Sequence, residues 1–264
     1  MRIYISADME GIAGIVRREQ LIPGERLYEE ARGLLTDEVN VVVEGWLRLG
    51  AERIVVKDAH YSGFNLVPRE LHPAAEYCFG GLRAKDRFPG LDSTFDGAVL
   101  LGYHAMAGTL RAIRDHTMTA AEWQSVRLNG VPMGEIALDA LLFGLHNVPI
   151  LLVTGDDKAC AEAGRFLPGV GTLQTKLGLG RHAGLLLAPR AVYAAYPEQL
   201  ELAWQRRAHV APLRLAGPYQ LEIRYTATDL LDGRVFEDPR DRRLDGVTAL
   251  YSDDDLARLL QRAL

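Results

Sequence analysis

Three short, nearly unbroken apolar runs, residues 2–7, 53–57 and 97–101, punctuate the N-terminal part of the chain and restrict it to a largely parallel sheet buried on both faces. The segments between them are long enough for crossovers. Leu27, Ala31, Leu34, Leu35, Val42, Trp46 and Leu49 recur at three and four, which predicts an amphipathic helix over about residues 25–49, ended by Gly50. A second helix is expected over residues 134–145 (GEIALDALLFGL), then a strand at Ile150–Thr154 and a short helix over 159–166. This rhythm is that of an α/β protein, a largely parallel sheet flanked by helices. Ser125–Leu128 reads as a short extra strand. Beyond Gly171 the pattern loosens into a Gly-rich turn, a helix over about 189–208, strands near 220–226 and 247–251, and a closing helix from Asp253. The expected organisation is therefore a core of residues 1–188 and a smaller C-terminal α+β lobe, 189–264, packed on the core or engaged in subunit assembly.

Metal-type side chains follow these strands. The first runs into Asp8 and Glu10, the second into Asp58 and His60, the third into Tyr103 and His104. In a parallel α/β sheet the C-terminal strand ends share one edge, where such folds bind ligands, so residues about 50 positions apart converge. Asp8 and Glu10 alone admit a reading as solvated loop acids, and a single strand-end His is more often structural. Three successive strands ending in His or acid point instead to a metal. Glu135 stands in the first turn of the predicted helix after Pro132-Met133-Gly134, where the helix dipole favours a carboxylate, either as a further ligand or as an ordinary helix-start acid. Two His and three carboxylates exceed what one tetrahedral zinc uses, and the count points to two metals sharing a carboxylate. Asp58 is either the acceptor that orients His60 or a turn acid. His116, in a polar stretch between His104 and Glu135, reads on its own as an exposed loop residue.

Composition narrows the partners. The 30 Lys and Arg are interspersed among 35 Asp and Glu for a net charge of −5, with no basic stripe, which argues against nucleic acid. No apolar run approaches a membrane span and no secretory signal is legible, so a cytoplasmic protein is expected. Cys78 and Cys160 lack CxxC spacing, leaving His, Asp and Glu as the metal donors.

Five separated segments, SADMEGIAG, KDAH, LGYHA, DHTM and PMGE, resemble in order those of the zinc-dependent D-aminopeptidases of bacterial dipeptide-transport operons, a resemblance running through about residue 190. It implies two zinc ions held by Asp8, Glu10, His60, His104 and Glu135, with Asp8 bridging them. It makes His116 the catalytic residue, which the residues alone did not. It also implies short peptide substrates with an N-terminal D-amino acid, and a homo-oligomer, a decamer of two stacked pentameric rings enclosing the active sites. Two other readings stay open: a dinuclear phosphoesterase, against which the shortage of evident phosphate-clamping Arg near the motifs argues, and a non-catalytic metal or small-peptide binding protein.

The remaining polar residues have ordinary assignments. His72, His146 and His209 are expected to be structural. The Gly-rich run around His182 lacks dinucleotide-fingerprint spacing. Asp156 and Asp157 are expected to cap the helix that follows them.

Overall fold

A computed structural model describes residues 1–80 and 87–263. Seven strands form the main sheet in the order β3-β2-β1-β4-β7-β8-β9: β1 Arg2–Ala7, β2 Arg53–Asp58, β3 Glu76–Cys78, β4 Gly97–Tyr103, β7 Ile150–Asp156, β8 Gly171–Gly180 and β9 Ala183–Leu186. All neighbours pair in parallel except β8 and β9. The expected α/β architecture is the observed one.

Side-chain alternation accounts for the unbroken apolar runs. Ile3, Ile5 and Ala7 of β1 pack into a cluster with Val39, Val42 and Trp46 of α1 (Tyr28–Arg48) and with Tyr196 and Leu200 of α4 (Pro189–Arg206). Tyr4 points the other way, toward α2 (Glu135–Leu145). Both faces are covered, so each β1 position from Ile3 onward is buried. Gly50, at φ +89, ends the turn after α1 in the left-handed conformation that its lack of Cβ permits.

A second, antiparallel sheet has the order β11-β12-β10-β5-β6: β5 Trp123–Leu128, β6 Val131–Pro132, β10 Tyr219–Tyr225, β11 Arg242–Arg243 and β12 Thr248–Asp253. Its apolar face and α6 (Leu256–Ala263) share one core cluster with α2 and the main sheet, so α2 lies buried between two sheets. The remaining helices are α3 (Asp157–Phe166) and the short α5 (Asp229–Asp232). The second sheet draws β5 and β6 from before residue 188 and β10–β12 from after it, and α4 packs on α1.

The expected Gly-rich turn after Gly171 is instead a ten-residue strand, β8, with a hairpin partner. Gly171, Gly178 and Gly180 lower its intrinsic β signal, and its pairing with β7 is not a local property. Gly178 has a packing reason: a Cβ there would lie 2.3 Å from the Arg111 carbonyl oxygen. β3, only three residues long, also carried no legible pattern.

Two buried ionisable residues anchor the turn after β1. The Lys176 ammonium, on β8, donates to the carbonyls of Glu10, Ile12 and Ile15 at 2.5, 2.7 and 2.6 Å. Glu38 of α1 accepts from the Ala13 amide at 2.9 Å and from the Tyr196 hydroxyl at 2.6 Å. Burial outweighs both bonds and pushes the Glu38 carboxyl from 4.5 up to about 7. A carboxyl raised on folding stabilises the fold fully below its unfolded pKa and loses that contribution as pH rises to its folded one. Between pH 4.5 and 7 the wild type should therefore lose about 3 kcal/mol relative to Glu38→Gln. Denaturant midpoints of both proteins across that range measure it; a constant difference would contradict the assignment.

Candidate metal centre

The order β2-β1-β4 at the centre of the sheet sets the site. Ala7 is level with Asp58 on one side and with Leu101 on the other, so the residues just beyond all three strands meet at one edge. Two glycines let the backbones close in. A Cβ on Gly11 would lie 2.2 Å from the Tyr103 carbonyl oxygen, and Gly102, at φ +69, would carry one 2.4 Å from the Asp8 carbonyl oxygen. The Gly11 amide instead donates to the Gly102 carbonyl at 2.7 Å, which holds Asp8 and Glu10 against the end of β4.

All five expected ligands come together. His60 Nδ1 lies 3.1 Å from Asp8 Oδ1 and 3.0 Å from Glu10 Oε2. His104 Nε2 lies 3.4 Å from Asp8 Oδ2 and 3.2 Å from Glu135 Oε1. Each oxygen of Asp8 thus faces a different imidazole. Donor atoms sharing a tetrahedral ion at about 2.0–2.2 Å lie roughly 3.3 Å apart, and these separations are compatible with that spacing.

The tautomers point the same way. His60 Nε2 donates to the Leu21 carbonyl at 2.9 Å and His104 Nδ1 to the Ala105 carbonyl at 3.0 Å. In a neutral ring the remaining nitrogen then offers a lone pair, which repels the carboxylate lone pairs it faces unless a cation lies between them. Asp8 Oδ2, Glu10 Oε2 and His104 Nε2 are buried and have no hydrogen bond among the described residues. Without a cation, protons must fill that role. Burial and then Glu10 push the Asp8 carboxyl up to about 7. Burial works against charge on His104, but Glu135 and Asp8 outweigh it and push its imidazole up to about 10. Against burial, Glu10 and Asp8 likewise hold His60 well above the usual His range. The donor set fits a divalent cation.

His116 is not exposed. Its ring stacks on His104, centroids 3.9 Å apart with 13° between planes, and its Nε2 is 3.6 Å from Glu135 Oε1. Its Nδ1 donates to the Arg114 carbonyl at 2.9 Å. Burial and then the charge of His104 lower its pKa and favour the neutral ring. Two overlapping groups have ligand atoms within 4.8 Å of one another: Asp8, Glu10 and His104, and His104, His116 and Glu135.

Several supporting residues were not legible in the sequence. Arg87 binds Asp139 through two bonds of 2.6 and 3.0 Å and stands 3.5 Å from Glu135 Oε2, while the Met118 amide donates to Glu135 Oε1 at 2.7 Å. Asp58 proves to be the turn acid: it accepts from the amides of Asn65 and Leu66 and from the Asn65 side chain, leaving the orientation of His60 to Leu21. Asp156 caps α3 through the Lys158 and Ala159 amides and also accepts from Ile113 at 2.7 Å, tying down the loop that carries His116. Arg18, Arg87 and Arg114 line the cavity, of about 420 Å3, that opens over the ligands, so the supposed shortage of Arg near the motifs is corrected. Arg114 directly precedes DHTM and Arg18 lies shortly after SADMEGIAG; Arg87 alone comes from a segment distant from the motifs.

A parallel α/β sheet with two imidazoles and three carboxylates converging under a cavity defines a metal-centred α/β enzyme. More narrowly, the chain belongs to the D-aminopeptidase family: the family model described as Peptidase_M55, D-aminopeptidase, matches residues 1–263. It is 35% identical over 213 residues to a D-aminopeptidase of Bacillus subtilis (strain 168), covering 81% of this chain and 77% of that protein. Its fold superposes with a TM-score of 0.91 on the Zn-dependent D-aminopeptidase DppA from Bacillus subtilis, a self-compartmentalizing protease, at 31% identity, covering 100% of this chain and 95% of the other.

Proposed function

We propose that this chain is a dinuclear zinc aminopeptidase that removes an N-terminal D-amino acid from short peptides. The observation that carries the metal count is the division of Asp8, one oxygen toward His60 and Glu10, the other toward His104 and Glu135. On this reading His60, Glu10 and Asp8 hold one ion, His104, Glu135 and Asp8 the other. Zinc held there would supply a nucleophile from water at neutral pH and polarise the scissile carbonyl. His116, its Nδ1 proton committed to the Arg114 carbonyl, presents the Nε2 lone pair, which can accept a proton from the nucleophilic water and hand it on to the leaving amine.

The test is hydrolysis of paired D-Ala-D-Ala and L-Ala-L-Ala by zinc-loaded protein. Strong preference for the D-peptide is expected; equal rates, or none on either, would sink the proposal.

Assembly and location extend it. The relative's self-compartmentalizing character supports a homo-oligomer here, a decamer of two pentameric rings in the finer form. Exposed Leu177, Leu179, Leu185, Leu186 and Leu187 on the β8–β9 hairpin also favour it. Residues 189–264 then pack on the 1–188 core or serve that assembly. Light scattering should give a mass far above 29.2 kDa, and a monomer would refute the assembly. No helix among the described residues is long and apolar enough to cross a membrane. A cytoplasmic location belongs to the same reading, and cell fractionation tests it.

A further inference from the structure

Arg114 is the Arg on the cavity wall that makes no ion pair with a described residue; Glu10 and Asp115 act on it only through space. Arg87 is committed to Asp139. Arg18, at the rim, pairs with Glu25 at 3.6 Å. Arg114 is 8% exposed, its guanidinium makes no hydrogen bond or ion pair among the described residues, and its Nε is buried without a partner. A buried guanidinium nitrogen left unpaired is costly, which favours an anionic partner arriving at this side chain.

Its position is fixed as well as its charge. Arg114 adopts φ +55, a left-handed conformation uncommon for a side chain of its size. Its amide donates to the Arg181 carbonyl at 3.0 Å, and its carbonyl accepts from His116 Nδ1 at 2.9 Å. Arg181 in turn grips Asp115. The loop therefore fixes the backbone of Arg114 next to His116.

Charge favours an anion in the loaded site. Asp8, Glu10 and Glu135 carry three negative charges against the four of two dications, and Arg114 adds one more positive charge. A peptide that places its amino terminus and scissile carbonyl at the ligands brings one obligatory anion, its C-terminal carboxylate. In a dipeptide that carboxylate lies one residue, about 3.8 Å, beyond the scissile carbonyl. Planar guanidinium matches carboxylate through two parallel bonds.

We propose that Arg114 binds the C-terminal carboxylate of the substrate and makes the enzyme selective for dipeptides with a free C-terminus over their amides. This rests on the peptidase reading above.

The test compares zinc-loaded wild type, Arg114→Met and Arg114→Lys on D-Ala-D-Ala and on D-Ala-D-Ala amide. For Arg114→Met, KM for the acid should rise about 10- to 100-fold with kcat little changed, the scale of a lost charge-assisted bond, while KM for the amide should change far less. Arg114→Lys should recover part of the loss. Equal losses on acid and amide, or none on either, would overturn the proposal. A second readout needs no turnover: calorimetric binding of N-acetyl-D-alanine and of its amide to zinc-loaded protein. Wild type should prefer the acid and Arg114→Met should not. If wild type hydrolyses neither peptide, the peptidase reading fails, and binding still decides on Arg114: acid preference lost in Arg114→Met upholds it as a carboxylate site, and absence of preference in wild type rejects it.

Discussion

His60→Ala and His104→Ala should each strip metal and abolish turnover together, with kcat/KM down by about 10³-fold or more. Each change removes a buried nitrogen at the point where two carboxylates converge: His60 Nδ1 beside Asp8 and Glu10, His104 Nε2 beside Asp8 and Glu135. Asp8 faces both imidazoles, so on the two-ion reading losing either one should weaken binding at both positions. Stability should follow the metal. Wild type gains from bound zinc what mass action allows, and the variants should gain less, so zinc should raise the wild-type melting temperature more than theirs. Metal analysis and turnover on the same preparations check this. Variants with unchanged zinc and unchanged rates would remove the site.

His116→Ala separates chemistry from metal binding. If His116 moves a proton and is not a ligand, the variant should keep nearly all its zinc while kcat falls by roughly 10²-fold or more. The geometry makes this a demanding test. His116 Nε2 is 3.6 Å from Glu135 Oε1, and with His104 and Glu135 it forms a group compact enough to hold an ion. Loss of one zinc with the imidazole would make it a ligand. Near-normal turnover would leave it a packing partner of His104. Only retained zinc with failed hydrolysis supports the catalytic role.

The sequence makes the metal centre legible because parallel topology does the placing. Once residues 2–7, 53–57 and 97–101 are strands of one parallel sheet, Asp8, His60 and His104 must share an edge, whatever their separation in the chain. Helix α2 was equally legible from its apolar period and from the Gly134-Glu135 start. What stayed hidden depends on contacts that no local pattern encodes. The Leu21 carbonyl that fixes the His60 tautomer comes from a turn 39 residues away. Lys176, buried under three carbonyls of the Glu10–Ile15 turn, sits in a strand whose glycines disguise it. His116 read as an exposed loop residue because stacking on His104 is a tertiary event. Arg114 had no signal either, since a buried unpaired guanidinium looks in sequence like any loop Arg. The second sheet was partly visible, as strands near 125, 220 and 247. Its assembly from segments on both sides of residue 188 required pairing β5 with β10 across roughly a hundred residues.

The central claim is that this sheet edge is a two-zinc peptidase centre, and one titration tests it most directly. Chelator-treated protein receives zinc in measured equivalents per chain while D-Ala-D-Ala hydrolysis is followed. The structure's division of Asp8 between two groups of ligands leads to negligible turnover at the start and a rise that saturates at two equivalents. Saturation at one equivalent, full hydrolysis in the chelated protein, or none at any zinc level would contradict it.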